Sequence, residues 1–241
     1  MSVLICGSLA FDTIMVFPDR FREHILPDKL HMLNVAFLVP EMRREYGGTA
    51  GNIAYNLHGL GGDARIMATV GDDFGPYRER LQTLGLRTDH VRHVPGSYTA
   101  QAFITTDLDD NQITAFHPGA MNFSHDNSVF DAGDLKLGVI APDGRDGMFR
   151  HARSQIWAEG RVYEIPAVAP TAVVDPTGCG DAYRAGLLYG MVNGLDWDTT
   201  GRLASLLGAL KIAERGAQNH PVVRSDIEDR FAAAFGRSLA G

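Results

Sequence analysis

With 241 residues, 45% of them apolar and 21% charged, the chain can bury a substantial core and has an ordinary globular composition. A formal charge of −7 without a Lys/Arg run argues against a nucleic-acid surface. Two cysteines, Cys6 and Cys179, and scattered histidines predict no disulfide framework and no metal site. The absence of a basic, apolar leader pattern and of any apolar run of about 18 residues points to a cytoplasmic chain with no membrane partner.

In chain order, residues 3–7 form a short apolar run ending in glycine, as a buried parallel strand does. Asp12 follows at the carboxyl end of that strand, where open α/β sheets place ligands. Residues 13–17 continue as strand, so the chain leaves the main sheet for an accessory one, and 30–39 read as a second accessory strand ending at Pro40. After Glu45–Asn52, a helix is predicted with Ile53, Ala54, Leu57 and Leu60 on one face, closed by Gly61-Gly62. Ile66–Gly71 reads as a strand, and Pro76–Leu84 as a helix begun by Asp72-Asp73 and Pro76. Two alternating runs, 98–106 and 112–117, joined by a polar turn, predict a β-hairpin. A strand at Leu137–Ala141 and helices at 144–153, 181–193, 199–214 and 225–236 complete the chain. βα units interrupted by strands that can pair only with one another predict a sandwich with a small β-sheet lid.

The stretch Asp175–Tyr183 sits between a β-branched run, Ala172-Val173-Val174, and a predicted helix. Glycines at 178 and 180 let the backbone turn tightly and aim N–H groups at one point, and a helix N-terminus adds partial positive charge there. With Asp181 alongside, this nest suits transfer of a phosphoryl group to a hydroxyl. The plainer reading, Asp181 as a helix N-cap beside a simple turn, stays open at this stage. A carboxylate at a helix start is expected to have a lowered pKa.

Two motifs resemble those of the ribokinase-like (PfkB) carbohydrate and nucleoside kinases. Gly47–Ala54, with Leu60-Gly61-Gly62 and Val70–Gly75, resembles the N-terminal signature of that family. Asp175-Pro176-Thr177-Gly178-Cys179-Gly180-Asp181 resembles its C-terminal one, with Cys179 where alanine is commoner and Pro176 where threonine is. The resemblance covers nearly the whole chain and implies one domain over 1–241. Its fold would be a ribokinase-like three-layer α/β/α sandwich with a mainly parallel central sheet. The lid would come from 13–17, 30–39, 98–106 and 112–117. It implies Asp181 as the base and Gly178, Cys179 and Gly180 as backbone donors to the phosphate. Asp12, Gly47, Gly48 and Asn52 would hold the acceptor, Gly48 because a side chain would block backbone approach to the sugar. Thr177, Ser205, Gly216 and Asn219 would lie at the nucleotide. As alternatives, Asp12 fits a turn and Asn52 a helix cap. The implied cofactors are ATP and Mg²⁺, with K⁺ left open, as is a homodimer through the lid.

The pattern breaks after Arg153. It resumes at Ser154–Gly160, which resembles a hairpin much later in the family. Two or three βα units of about 25–30 residues each are expected between them. With them go an Asn-x-x-Glu motif associated with magnesium and phosphate and a Thr-x-Gly-type nucleotide loop. A family segment is therefore expected to be missing near 153/154; a true deletion should expose apolar flanks of the sheet. The motifs resemble most closely the adenosine kinase branch, which puts adenosine first as acceptor. A ribose- or fructose-type sugar comes second, and a non-catalytic nucleoside- or sugar-binding protein is the alternative from another class. Gly7-Ser8-Leu9-Ala10 lacks a dinucleotide fingerprint, which argues against redox chemistry.

Overall fold

The computed structural model describes residues 2–25, 34–133, 137–144, 147, 165–166, 168–175 and 177–239. Two four-stranded sheets organise them. The first has the order β5-β4-β1-β8, from β1 (Ser2–Cys6), β4 (Asp63–Val70), β5 (Arg87–His93) and β8 (Leu137–Ile140). All of its pairings are parallel. The apolar run Val3-Leu4-Ile5-Cys6 is buried because β1 is central and covered on both faces. The second sheet has the order β3-β2-β6-β7, from β2 (Ala10–Val16), β3 (Glu41–Gly47), β6 (Ala100–Thr106) and β7 (Gln112–His117). Here β6 and β7 form the expected hairpin, and β2 runs parallel to β6 but antiparallel to β3.

Among the described residues six α-helices accompany the sheets: α1 (Phe21–His24), α2 (Thr49–Gly59), α3 (Gly75–Thr83), α4 (Cys179–Val192), α5 (Trp197–Ile212) and α6 (Arg224–Phe235). The apolar spacing of α2 buries Ile53, Ala54 and Leu57 completely; truncating Leu57 to alanine would cost roughly 2–5 kcal/mol. Helices α4 and α5 pack closely because small residues face each other. A Cβ on Gly186 would lie 2.6 Å from the Ala204 Cα. None of the helices among the described residues is long and apolar enough to cross a membrane.

Part of the N-terminal signature ties the two sheets together. Asp73, just before α3, accepts the Thr99 N–H at 2.7 Å and the Gln101 side-chain amide at 2.9 Å, at the start of β6. Asp72 accepts from His93 and the Gly96 N–H. These two aspartates hold the accessory sheet over the end of the parallel one.

Two expectations need correction, and one strand was not expected. The strand at 30–39 is not formed over 34–39, and 30–33 lie outside the described residues. The apolar content there goes to a ring cluster instead, Phe37 packing on Phe17 and Phe21 at 4.7 and 4.9 Å. The strand that does pair with β2 is β3, whose charged sequence Glu41-Met42-Arg43-Arg44-Glu45 hides it from an apolar pattern. Ala172-Val173-Val174 forms no strand either; Val173 and Val174 are exposed, and the Val174 and Asp175 N–H groups bond the Ile212 carbonyl. Among the described residues β8 is an edge strand with Ile140 exposed, which fits a missing segment on that flank of the parallel sheet. The helix expected at 144–153 and the Ser154–Gly160 stretch lie almost wholly outside the described residues.

Candidate active site

The carboxyl ends of β1 and β8 open into a cleft of about 330 Å³ beneath the accessory sheet. Asp12, Gly48 and Asn52 line one wall, Thr177, Gly178 and Asp181 the other, with Phe116 of β7 and Asp143 at its margins. Both sequence motifs therefore meet at a single cavity, at the sheet end where parallel α/β folds bind ligands.

Asp12 lies inside β2, paired on both sides, which removes the turn reading. Burial pushes its pKa up to about 6, with Asp175, Glu45 and Asp181 adding negative charge nearby. A Cβ on Gly47 would lie within contact distance of the Asp12 carboxylate, so the glycine leaves room for that side chain. At Gly48 the reason differs from the one expected. Its φ is +87°, and a Cβ would meet the Ala10 N and Ser8 O at 2.6 Å. The chain's own backbone forbids a side chain there.

Asn52 stands in the first turn of α2 but does not cap it. Ser8 does that from the β1–β2 connection, its Oγ accepting the Thr49 N–H at 3.1 Å and its carbonyl the Ala50 N–H at 3.0 Å. Asn52 Nδ2 instead donates to Asp181 Oδ2 at 3.0 Å, and its Oδ1 accepts from Gln218 Nε2 at 3.0 Å. Gln218 also donates to Tyr77 Oη at 2.7 Å, and Tyr77 donates to the Gly47 carbonyl at 2.8 Å. This buried chain joins Gly47, Tyr77, Gln218, Asn52 and Asp181 through the protein interior.

Asp181 is not the N-cap of α4. Gly178 is, with φ +81°, and no side chain caps that helix. The Asp181 carboxylate is 7% exposed and is held by Asn52 and by Arg184 Nη1 at 2.9 Å. Burial raises its pKa, only partly opposed by Asn52 and Arg184. The expected lowering at a helix start is thus overturned, because loss of water outweighs the favourable contacts. Asp175 goes the other way. Burial would raise it, but the Gly216 and Thr177 N–H groups, each at 2.9 Å, hold it below the usual range.

The four residues expected at the nucleotide are placed unevenly. Thr177 lines the cleft. The Gly216 N–H is engaged by Asp175, and Asn219 donates to Glu45 Oε2 at 3.0 Å. Ser205 Oγ donates to the Pro166 carbonyl and accepts the Val168 N–H, both at 3.1 Å, which ties Pro166 and Val168 to α5. Cys179 and Gly180 open α4, and the Cys179 thiol, like that of Cys6, is free. Gln218 belongs to the Gly216–Asn219 stretch expected near the nucleotide, but it bonds Asn52 and Tyr77 instead. Tyr77 and Arg184 were not singled out by the sequence; Arg184 had a signal, standing three residues after Asp181 on one helix face, and Tyr77 had none, because only the fold brings it to the site.

Comparison with known proteins agrees with this geometry. The chain is 25% identical to a nucleoside kinase of Methanothermobacter thermautotrophicus, covering 97% of this chain and 96% of that protein. That alignment runs over 308 positions, so the relative has several dozen residues with no counterpart among the 241 here. A Burkholderia thailandensis nucleoside kinase in complex with inosine superposes with a TM-score of 0.85 at 43% identity, over 98% of this chain and 99% of that one. The same enzyme in complex with ADP-inosine gives 0.83 at 44%, over 98% and 97%. The family model described as pfkB family carbohydrate kinase matches residues 9–137 and 139–223. Both signature motifs, the cleft they share and the ribokinase-like fold therefore belong together: the chain is a member of the pfkB family of carbohydrate kinases, phosphotransferases that act on a hydroxyl group.

Proposed function

We propose that the protein transfers the terminal phosphoryl group of ATP to a hydroxyl of a nucleoside. The observation that supports this reading is the 3.0 Å contact between Asn52 and Asp181, which joins the two sequence motifs at one cleft. Asp12, ionised above pH of about 6, accepts hydrogen bonds from two sugar hydroxyls. Asp181 accepts the proton of the attacking hydroxyl, its raised pKa making it a better base than an exposed carboxylate. Gly178, Cys179 and Gly180 present backbone N–H groups at the uncapped start of α4 to the transferring phosphate. Thr177 stands at the same phosphate from the cleft side, with Gly216, Asn219 and Ser205 further out toward the nucleotide. Phe116, half exposed at the margin, offers a face on which a base can stack. The accessory sheet serves as lid and as the face through which two copies would pair. Adenosine is the favoured acceptor; the inosine bound by the Burkholderia enzyme makes a second purine nucleoside a natural comparison.

Magnesium is implied by the chemistry, since it neutralises charge on ATP as it transfers. The described residues hold no group of three acidic, His or Cys side chains suited to a metal ion, and the sequence lacks the Asn-x-x-Glu motif. The residues present therefore do not fit a metal held by the protein. A cytoplasmic setting is proposed for an ATP-dependent enzyme with free thiols.

The test is an ADP-release screen over purine and pyrimidine nucleosides, ribose and fructose, with ATP and Mg²⁺, on protein of known intact mass. Release stimulated at least about tenfold by a purine nucleoside over ribose supports the reading. Stimulation by ribose or fructose alone makes the protein a sugar kinase. Nucleoside binding without ADP release makes it a binding protein on a kinase scaffold.

A further inference from the structure

Helix α5 ends in a buried charge that neither the core nor the chemistry above uses. Lys211 is fully buried, and such a side chain is rarely found inside unless something compensates its charge. Among the described residues it makes no ion pair. Its ammonium donates to two main-chain carbonyls, Asp175 at 2.9 Å and Glu214 at 3.0 Å. The first is the root of the loop that leads to Gly178. The second lies just beyond the end of α5, where helix carbonyls concentrate negative potential.

The surroundings fix what this charge can act on. The Val174 and Asp175 N–H groups bond the Ile212 carbonyl at 2.8 and 3.1 Å, so the loop root is clamped to the end of α5 through both its donors and its acceptor. From the other side, the Asp175 carboxylate holds the Thr177 and Gly216 amides. Lys211 is close enough to influence both Asp175 and Cys179, the first residue of α4. Convergent carbonyls around one positive charge are also how proteins bind a free monovalent cation. Here that pair of oxygens is already occupied by an ammonium belonging to the chain, and a K⁺ ion does not fit at the same point.

We propose that Lys211 is a built-in cation for the phosphate loop: it sets the loop's shape at Asp175, adds fixed positive charge behind the amides of α4, and makes a free monovalent ion unnecessary there. It is a positioning residue, acting through the loop, and the inference rests on that loop binding phosphate.

The experiment measures ADP release by the wild type, Lys211→Met and Lys211→Ala in choline, sodium, potassium and ammonium chlorides, together with nucleoside affinity, ADP affinity and Tm. The wild type is expected to change less than about twofold between choline and potassium. Lys211→Met is expected to keep its nucleoside affinity while kcat falls about 10- to 100-fold. Lys211→Ala is expected to recover in ammonium or methylammonium, which a simple packing role would not produce. A wild type that needs potassium overturns the proposal, as does a folded variant with unchanged kcat or a loss that no ammonium ion restores. If both variants fail to fold, the potassium response of the wild type decides. A wild type that binds nucleoside and never releases ADP refutes the kinase reading; the Lys211 inference then stands or falls on whether Lys211→Met loses ADP affinity about tenfold and Lys211→Ala regains it in ammonium.

Discussion

The wall of the cleft that carries Asp12, Gly48 and Asn52 is framed by regular structure, whereas on the facing wall Asp181 sits in the first turn of α4 and the loop before it, with Thr177 and Gly178, hangs on single hydrogen bonds. Asp12 sits in a strand paired residue by residue with β3 and β6. Its neighbours at 47 and 48 are glycines because carboxylate and backbone already fill the space. Among the described residues the facing loop has no strand partner. It is positioned by the Asp175 carboxylate, the Lys211 ammonium and the contact of Gly178 with Ala217, where an added Cβ would approach to 2.9 Å. The difference teaches a division of labour. A wall that grips an acceptor can be rigid throughout, but a wall that meets a changing charge needs unpaired backbone donors, and regular structure would consume them.

This division predicts a split between kcat and KM. Asp181→Asn keeps the shape and the Asn52 contact but cannot take a proton. Turnover should fall about 10²–10⁴-fold with nucleoside affinity nearly unchanged, checked by steady-state kinetics beside direct titration. Near-normal kcat would break the comparison at its centre. Asp12→Asn should do the opposite. Hydrogen bonds to a charged acceptor contribute about 1.5–3 kcal/mol, so KM for the nucleoside should rise about 10- to 100-fold while kcat changes far less. If both variants lowered kcat alike, the walls would not be separable.

Tyr77→Phe probes what joins the walls. Its hydroxyl donates to the Gly47 carbonyl and accepts from Gln218, which in turn holds Asn52. Removing it leaves two buried polar groups short of a partner, at a cost of about 1–3 kcal/mol. Chemical denaturation should show that loss, with a smaller rise in KM than Asp12→Asn gives.

The sequence is legible where the pattern is local and opaque where the site is assembled from distant parts. Glycines flanking position 179 and an aspartate at 181 suggest a phosphate nest by their spacing, with a simple cap as the alternative, and the structure seats them at a helix start with Gly178 as the cap. Asn52 and Asp181 are 129 positions apart, yet both were legible because each belongs to a motif. Gln218 was expected only as part of a stretch near the nucleotide, and Lys211 belongs to no motif. One is a buried amide and the other a buried ammonium, residue types ordinarily read as surface; the bonds of Gln218 to Asn52 and Tyr77, and of Lys211 to the Asp175 carbonyl, show their use. The strand β3 was hidden for a related reason: its backbone pairs with β2 while its charged side chains stay largely in water. The direction of the Asp181 pKa was misjudged because sequence shows the helix start and not the burial.

The smallest effect is also the most specific to the acceptor wall. In the folded protein Asp12 binds a proton up to a pH of about 6, against an ordinary value of 3.8. Between these values the folded state holds more protons than the unfolded one, so the Asp12 contribution to stability grows as pH falls through 6 and is lost as pH rises through it. Asp12→Asn removes that response along with the repulsion from Asp175, Glu45 and Asp181. The variant should therefore melt above the wild type at pH 8, and the gap should narrow as pH falls through 6 and close near pH 3.8. Asp143, with its pKa pushed up to about 7 by burial, adds the same trend to both proteins and cancels in the difference. Nucleoside affinity carries the opposite sign. Protonation takes away the charged acceptor, so the wild-type KM should rise below pH 6, whereas the variant, already neutral, should stay flat over the same range. A wild-type KM that does not move between pH 8 and pH 5 would place the acceptor's hydroxyls on some other group than Asp12.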